Sequence, residues 1–310
     1  MTKIDFMGKR KYFYIVSILV MVIGLISYFV QGFNYDIDFT GGTVLEINLH
    51  KVPTAQEISE LEKLTKQITG TQTPIVRKVE DGKKIMINAH EVHGKKKTEL
   101  SKETRDKLFG EIAKKYNLKK EDLISYQNVG AVVSSELKSQ AIWAVVIASI
   151  LMLIYIAIRF EFRFGTTAVA ALIHDLLIVL TVYTIFRIPL NSTFIAAILT
   201  VLGYSINDTI VVFDRIRENR RIAGKMELKD LVNLSMNQTI GRSIATAMSV
   251  IIVLVVLYFM GVQSIKEFAF PLLIGVISGT YSSIFIATAL WFDWELSTRK
   301  KKLQAKPKRA

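Results

Sequence analysis

The stretch Leu202–Arg215, LGYSINDTIVVFDR, places Asn207 and Asp208 inside a run of apolar residues. An Asp at the centre of a membrane helix costs roughly 2.5–3.5 kcal/mol on insertion scales, so such an acid signals function by default. Asp208 precedes Asp214 and Arg215, the first charges beyond the run, by six and seven residues. At about 1.5 Å per residue it lies about 9–10 Å inside the apolar slab. Thr200, Tyr204 and Asp208 are four apart and stack as one polar stripe on a helix, with Asn207 beside it. Arg242, Thr246 and Ser249 share a face of the next apolar segment, with Arg242 at its end and near the depth of Asp208. A polar stripe in lipid must meet a protein neighbour or a wet cavity. The two stripes are therefore expected to meet, with Asp208 opposite Arg242. A carboxylate beside a guanidinium stays ionised; drawn away in an apolar setting, it favours the proton. The chemistry this implies is proton exchange, with protonation and pairing as alternatives.

Asp175 lies twelve residues from both Arg163 and Arg187, near the middle of another apolar segment. Two roles stay open for it: a hydrogen bond to a neighbouring helix, or a second titrating relay group. Its neighbour His174 is read as structural and Arg187 as an interfacial anchor.

Six apolar runs must position these groups: 12–30, 141–158, 166–186, 190–213, 244–260 and 270–290. Each is long enough to span a bilayer. The first is too long for a signal-peptide core and has no A-x-A site after it, so it reads as an uncleaved anchor. Gly275 and Gly279 of GVISG, followed by Ser282 and Ser283, are read as close helix packing. Pro271 is read as the opening of the last helix. The chain then divides into an N-terminal tail (1–11), a first span (12–30), a domain (31–140), five further spans (141–290) and a basic tail (291–310).

Charge assigns the sides. The net charge is +13, but 31–140 holds 18 Lys and Arg against 16 Asp and Glu, while the rest holds 22 against 11. With the N-terminus cytoplasmic, nineteen Lys and Arg fall inside: Lys3 and its neighbours, Arg159, Arg163, the 214–241 loop including Lys225, and the tail from Arg299 to Arg309. The short outer loops hold Arg187 and Lys266. The positive-inside rule then places both termini in the cytoplasm and 31–140 outside, since long translocated domains escape the rule.

The 31–140 segment reads as a small α+β domain. Val44–Leu49 alternates like a strand. Thr54–Thr69 carries Ile58, Leu61, Leu64 and Ile68 on one face and a Thr54/Glu57 capping box. Strands 74–79 and 84–89 flank Glu80-Asp81-Gly82, a hairpin signal. Leu100–Tyr116 reads as a second helix with Leu100, Leu108, Ile112 and Tyr116 inward, and 122–129 as the last strand. The order βαββαβ is ferredoxin-like. Lys95–Lys97 is expected to be a solvated loop.

Several function classes are disfavoured. The chain has no cysteine, and its four histidines show no ligand spacing, so no metal site or cofactor is expected. Topology accounts for the basic segments, which removes the case for nucleic acid. No nucleophile, base and oxyanion set occurs together and no phosphate loop is present, so an enzyme is not expected.

The run GYSINDTIVVFDRIREN resembles a signature of the SecD/SecF family of protein-export membrane proteins, within the resistance-nodulation-division superfamily. Asp38-Phe39-Thr40-Gly41-Gly42-Thr43 resembles that family's DFxGGT element; read from residues alone it is a double-glycine turn into a strand. Gly241-Arg242-Ser243 at the fifth helix and the six-helix layout also match. The resemblance implies a SecF-like subunit of the bacterial plasma membrane that pairs with a separate SecD. It implies assistance to the SecYEG channel and the SecA motor in exporting unfolded polypeptide, driven by the proton gradient. It maps the family's membrane charges onto Asp208 and Arg242. Two alternatives stay open: a proton-coupled small-molecule exporter of the same superfamily, and a non-transporting assembly factor.

Overall fold

The computed structural model describes residues 4–71, 74–79, 82–93, 96–159, 161–222, 224 and 226–304. Lys3, Glu80, Asp81, Lys95, Lys225, Lys306, Lys308 and Arg309 of the sequence reading lie outside them. The chain forms two compact units: an α/β unit of 34–144 with 189–192, and a helical unit of 1–33, 145–188 and 193–310.

In the α/β unit Asp36 caps a short helix, α2 (Ile37–Thr40), which leads into β1 (Gly42–Asn48). The DFTGGT element is thus a capped helical turn and then the glycines, where a simple turn was expected. The reason is the carboxylate of Asp36, which accepts the Ile37 N–H and nucleates the turn. Next come α3 (Ala55–Thr69), with its Thr54/Glu57 capping box in place, β2 (Ile75–Val79) and β3 (Lys84–Ala89). A short hairpin follows, β4 (Glu91–His93) with β5 (Lys96–Thr98), then α4 (Lys102–Tyr116) and β6 (Leu123–Val129). The sheet order is β2-β3-β1-β6, with every neighbour antiparallel. This is the ferredoxin-like arrangement. Leu45, Ile47, Leu61, Ile85, Ile87, Leu108 and Ile112 are fully buried between helices and sheet, with Ile58, Leu64, Ile68 and Tyr116 packed around them.

One reading of this unit is corrected. Lys96 and Lys97 pair with His93 and Val92 in the small hairpin and do not form a loop. Backbone pairing does not depend on apolar alternation, so a charged strand escapes a hydropathy-based reading.

Among the described residues six helical segments are long and apolar enough to cross a membrane. They are α1 (Phe6–Gln31), α5 (Ala131–Arg159), α6 (Phe162–Ile185), α7 (Ser192–Ile222), α8 (Leu228–Met260) and the continuous segment formed by α9 (Gln263–Ser282), a π-helical stretch (Ser283–Ala287) and α10 (Thr288–Gln304). Most of the expected 214–241 loop is helix, and the α7–α8 connection is only residues 223–227. Hydropathy marks the lipid-facing length alone. Polar helix formers with i,i+3 pairs, such as Asp214–Arg217 and Arg215–Glu218, carry the helix further. For the same reason the expected tail from residue 291 begins as α10, with Trp291 and Phe292 buried in the bundle. Pro271 sits inside α9, which begins at Gln263. Neighbouring helices compensate for the bond a proline removes in a membrane helix.

The start of α1 is held by side chains one turn apart on α8. Asn237 exchanges hydrogen bonds with the Ile4 backbone, Asn233 accepts from the Met7 N–H, and both Asn233 and Lys229 donate to Asp5. The Lys229 ammonium, the Gly8 N–H and the Asn233 amide hold the Asp5 carboxyl down at about 2. Because the folded-state value lies below the ~3.9 of an unfolded Asp, this anchor is fully present above about pH 4 and is lost as pH falls through about 2. Half-exposed, it is a surface-grade pair of at most about 1 kcal/mol, so the first turn of α1 should fray while the bundle persists. Hydrogen exchange at Met7 and Gly8 should accelerate between pH 4 and pH 2, and Lys229→Ala should move the onset upward. Exchange that is flat over this range would show that Asp5 does not hold the end.

Candidate functional site

Asp208 lies on α7 with 8% of its surface exposed. It shares a cavity with side chains of α8 and α9; the Thr280 hydroxyl donates to the Val276 carbonyl at 2.9 Å. A polar cavity of about 260 Å³ opens here among α7, α8 and α9. Tyr204, Asn207 and Asp208 line it from α7, Thr246 and Ser249 from α8, and Thr280 from α9. Tyr204 and Asn207 are exposed, whereas Asp208 is the buried acid of the set.

The structure therefore brings most of the two polar stripes to one cavity. Two members stand apart from it. Thr200 gives its hydroxyl to the Ala196 carbonyl at 2.9 Å, one turn earlier on α7. Arg242 is an exposed residue of α8, and among the described residues no direct ion pair joins it to Asp208. The expected face-to-face contact is absent among the described residues, and Ser243, the neighbour of Arg242 in sequence, is the buried one of the two. The register of α8 decides this: Ser243 and Ala247 turn inward and Arg242 turns out.

Asp175 on α6 is a separate hub and has no exposed surface. Ser205 of α7 and Ser282 of α9 donate to its Oδ2 at 2.6 and 2.7 Å, and Ser278 of α9 donates to Oδ1 at 2.7 Å. His174 Nδ1 lies 3.1 Å from Oδ1, and its Nε2 lies 3.0 Å from Ser17 Oγ on α1. One carboxylate thus ties α6 to α7 and α9, and its neighbour ties α6 to α1. The reading that Asp175 hydrogen-bonds a neighbouring helix matches this geometry. The sequence reading missed its partners. Ser278 and Ser282 stand four apart, a spacing that one carboxylate on a facing helix can span. Ser205 separates the two sites, since it lines the cavity and also donates to Asp175.

In the α/β unit the glycines of the DFTGGT element have backbones that only glycine adopts readily: Gly41 at φ +71° and Gly42 at φ +136°. A Cβ on Gly42 would lie 2.6 Å from the Ala89 carbonyl oxygen of the adjacent β3. Asp38 is hydrogen-bonded to Ser192, the first residue of α7.

Fold and site define a class first: a multi-pass helical membrane protein with a ferredoxin-like unit after its first span and a buried acid in a polar cavity among its later ones. The family described as "Protein export membrane protein SecD/SecF, C-terminal" matches residues 109–297, and "SecD/SecF GG Motif" matches residues 26–51. The protein translocase subunit SecF of Haemophilus influenzae is 38% identical over 93% of this chain and 85% of its own length. The SecF subunit of Petrotoga mobilis is 35% identical over 98% of this chain and 99% of its own. A crystal structure of SecDF, a translocon-associated membrane protein from Thermus thermophilus, superposes with a TM-score of 0.82 at 32% identity. It covers 95% of this chain, which spans 39% of that longer one. The chain belongs to the SecD/SecF family of protein-export membrane proteins.

Proposed function

We propose that this chain is a SecF-like subunit that joins a SecD-like partner and uses the proton gradient to promote export of unfolded polypeptide through a SecYEG-type channel served by SecA. The relatives named SecF support the export role. The Bacillus subtilis SecDF, 40% identical over 94% of this chain and 38% of its own length, supports the partnership with SecD. In this reading the chain sits in the bacterial plasma membrane with both termini cytoplasmic and the α/β unit outside, a placement that its distribution of Lys and Arg supports. Its role is not enzymatic. The gradient supplies the energy, about 2.3 kcal/mol per charge per 100 mV.

The observation that carries the proton role is the placement of Asp208: a buried acid at a polar cavity lined by hydroxyl side chains, with no direct ion pair among the described residues. Such a group can exchange a proton through the cavity, and its charge alters how α7 is held against α8 and α9. Arg242, with Thr246 and Ser249, biases that exchange from α8. Tyr204 and Asn207 stand at the exposed side of the cavity. The fully bonded Asp175 holds the frame.

The test is Asp208→Asn in inverted vesicles carrying the whole export complex. The proton gradient should no longer speed the completion of translocation, while assembly with the partner and gradient-independent transport persist. Full gradient dependence in the variant would exclude Asp208 as the proton site. Loss of assembly in Asp208→Asn and Arg242→Gln alike would favour a non-transporting assembly factor.

A further inference from the structure

His174 and Asp175 lie buried inside the helical unit, where α6 meets α1, α7 and α9. The proton exchange proposed above involves neither of them. Among the described residues no Lys or Arg pairs with Asp175. An ionised carboxylate without a counter-charge is costly to bury. His174 is the titratable side chain that touches this one.

Hydrogen-bond direction fixes where the protons are. The Tyr281 hydroxyl lies 2.9 Å from the Phe13 carbonyl, which can only accept, so its one proton points there. Ser17 Oγ lies 3.3 Å from the same hydroxyl, and with the tyrosine proton engaged the serine must donate. The serine proton is then engaged as well. His174 Nε2, 3.0 Å from Ser17 Oγ, therefore carries a proton and donates it. On the other side of the ring Nδ1 lies 3.1 Å from Asp175 Oδ1. Ser205 and Ser282 already donate to Oδ2 of this carboxyl, and Ser278 donates to Oδ1. A carboxylate offers about four acceptor positions. The serines take three, and the remaining one faces Nδ1. A carboxyl surrounded by donors matches the acceptor-only, ionised form, which leaves the proton of this contact on the nitrogen. Both ring nitrogens then donate, and only an imidazolium can do that.

We infer that His174 is the counter-ion of Asp175: the two form a buried proton-binding site that holds one proton on the imidazole and brings the net charge of the hub to zero. Asp175 can then gather hydroxyls from α7 and α9 without leaving an unpaired charge in the core of the bundle. The ring also carries the network to α1, since its Nε2–H reaches Ser17 and, beyond it, Tyr281 and the Phe13 carbonyl. The site is distinct from the cavity of Asp208. It meets that cavity at Ser205, whose hydroxyl proton is engaged by Asp175. Its proton is resident in the fold, and this role does not depend on Asp208 being a proton site.

The experiment uses the full chain in lipid nanodiscs near neutral pH. Nitrogen NMR of labelled histidine separates an imidazolium, with two protonated nitrogens, from a neutral ring with one. Single His50→Gln, His90→Gln and His93→Gln variants assign the other three histidines, so the assignment of His174 does not need a variant at that position. Wild-type His174 should be an imidazolium. In Asp175→Asn, which removes the negative charge, it should become a neutral ring. In His174→Gln the proton should move to the acid. Infrared spectra of that variant should show a protonated-carboxyl band that is missing from the wild type and from the double variant His174→Gln/Asp175→Asn. A neutral His174 in the wild type would overturn the pairing, wherever the infrared band then places the proton. An imidazolium that persists in Asp175→Asn would overturn it too, because the charge of the ring would not answer to that acid.

Discussion

Asp175→Val should destabilise the helical unit by about 2–5 kcal/mol. Three serine hydroxyls from two helices converge on that carboxylate. Interhelical hydrogen bonds in membranes average about 0.6 and reach about 1.7 kcal/mol, and three of them span the stated range. The loss should not reach the full penalty for stranded polar groups, because a serine on a helix can turn its hydroxyl to a carbonyl one turn earlier. Valine also approximates the volume of Asp, so no large cavity adds to the cost. Asp175→Asn keeps one acceptor oxygen and should cost about half as much. Unfolding of the purified chain in bicelles, with the two variants in parallel, reads both. A Val variant within about 0.5 kcal/mol of the wild type would show that the hub does not hold the bundle, and would return Asp175 to the role of a relay.

The second large effect concerns the approach of α9 to α7. A Cβ built on Gly275 would lie 2.2 and 2.7 Å from the two γ-carbons of Val201, a β-branched side chain with little freedom to yield. Gly275→Ala should therefore push the helices apart at a cost of about 1–3 kcal/mol, the usual range for overpacking. The displacement would act on both polar sites, since α9 carries Ser278 and Ser282 toward Asp175 and Thr280 toward Asp208. Val201→Ala opens the space that Gly275→Ala fills, so the double variant should recover most of the loss although each single change is unfavourable. Additivity of the two single effects would mean that the residues do not share a contact in the membrane, contrary to the packing described.

The six apolar segments were legible because the bilayer imposes length and composition on any span. Their ends were not, since polar residues outside lipid continue a helix as well as apolar ones. The ferredoxin-like order was legible from alternation, the Thr54/Glu57 box and the Gly82 turn. The β4–β5 hairpin was not, because its backbone pairing leaves no pattern in residue type. In the candidate site, helical spacing aligned Tyr204 with Asp208 and Thr246 with Ser249. It could not tell which side of α8 turns inward, and that rotation moves Arg242 out and Ser243 in.

By itself, the sequence determined which groups must be sheltered from lipid. An acid at Asp175 or Asp208 is costly in hydrocarbon, so each had to find polar company wherever the helices packed. Only the tertiary structure decided the company. The close approach of α9 to α7 at Gly275 and Gly279 delivers Ser278 and Ser282 to one acid and Thr280 to the other. The fold of the α/β unit delivers Asp38 to the first turn of α7. Such contacts join residues up to 154 positions apart. They depend on helix rotation and on distances of a few tenths of an ångström, quantities that residue spacing along one helix does not contain.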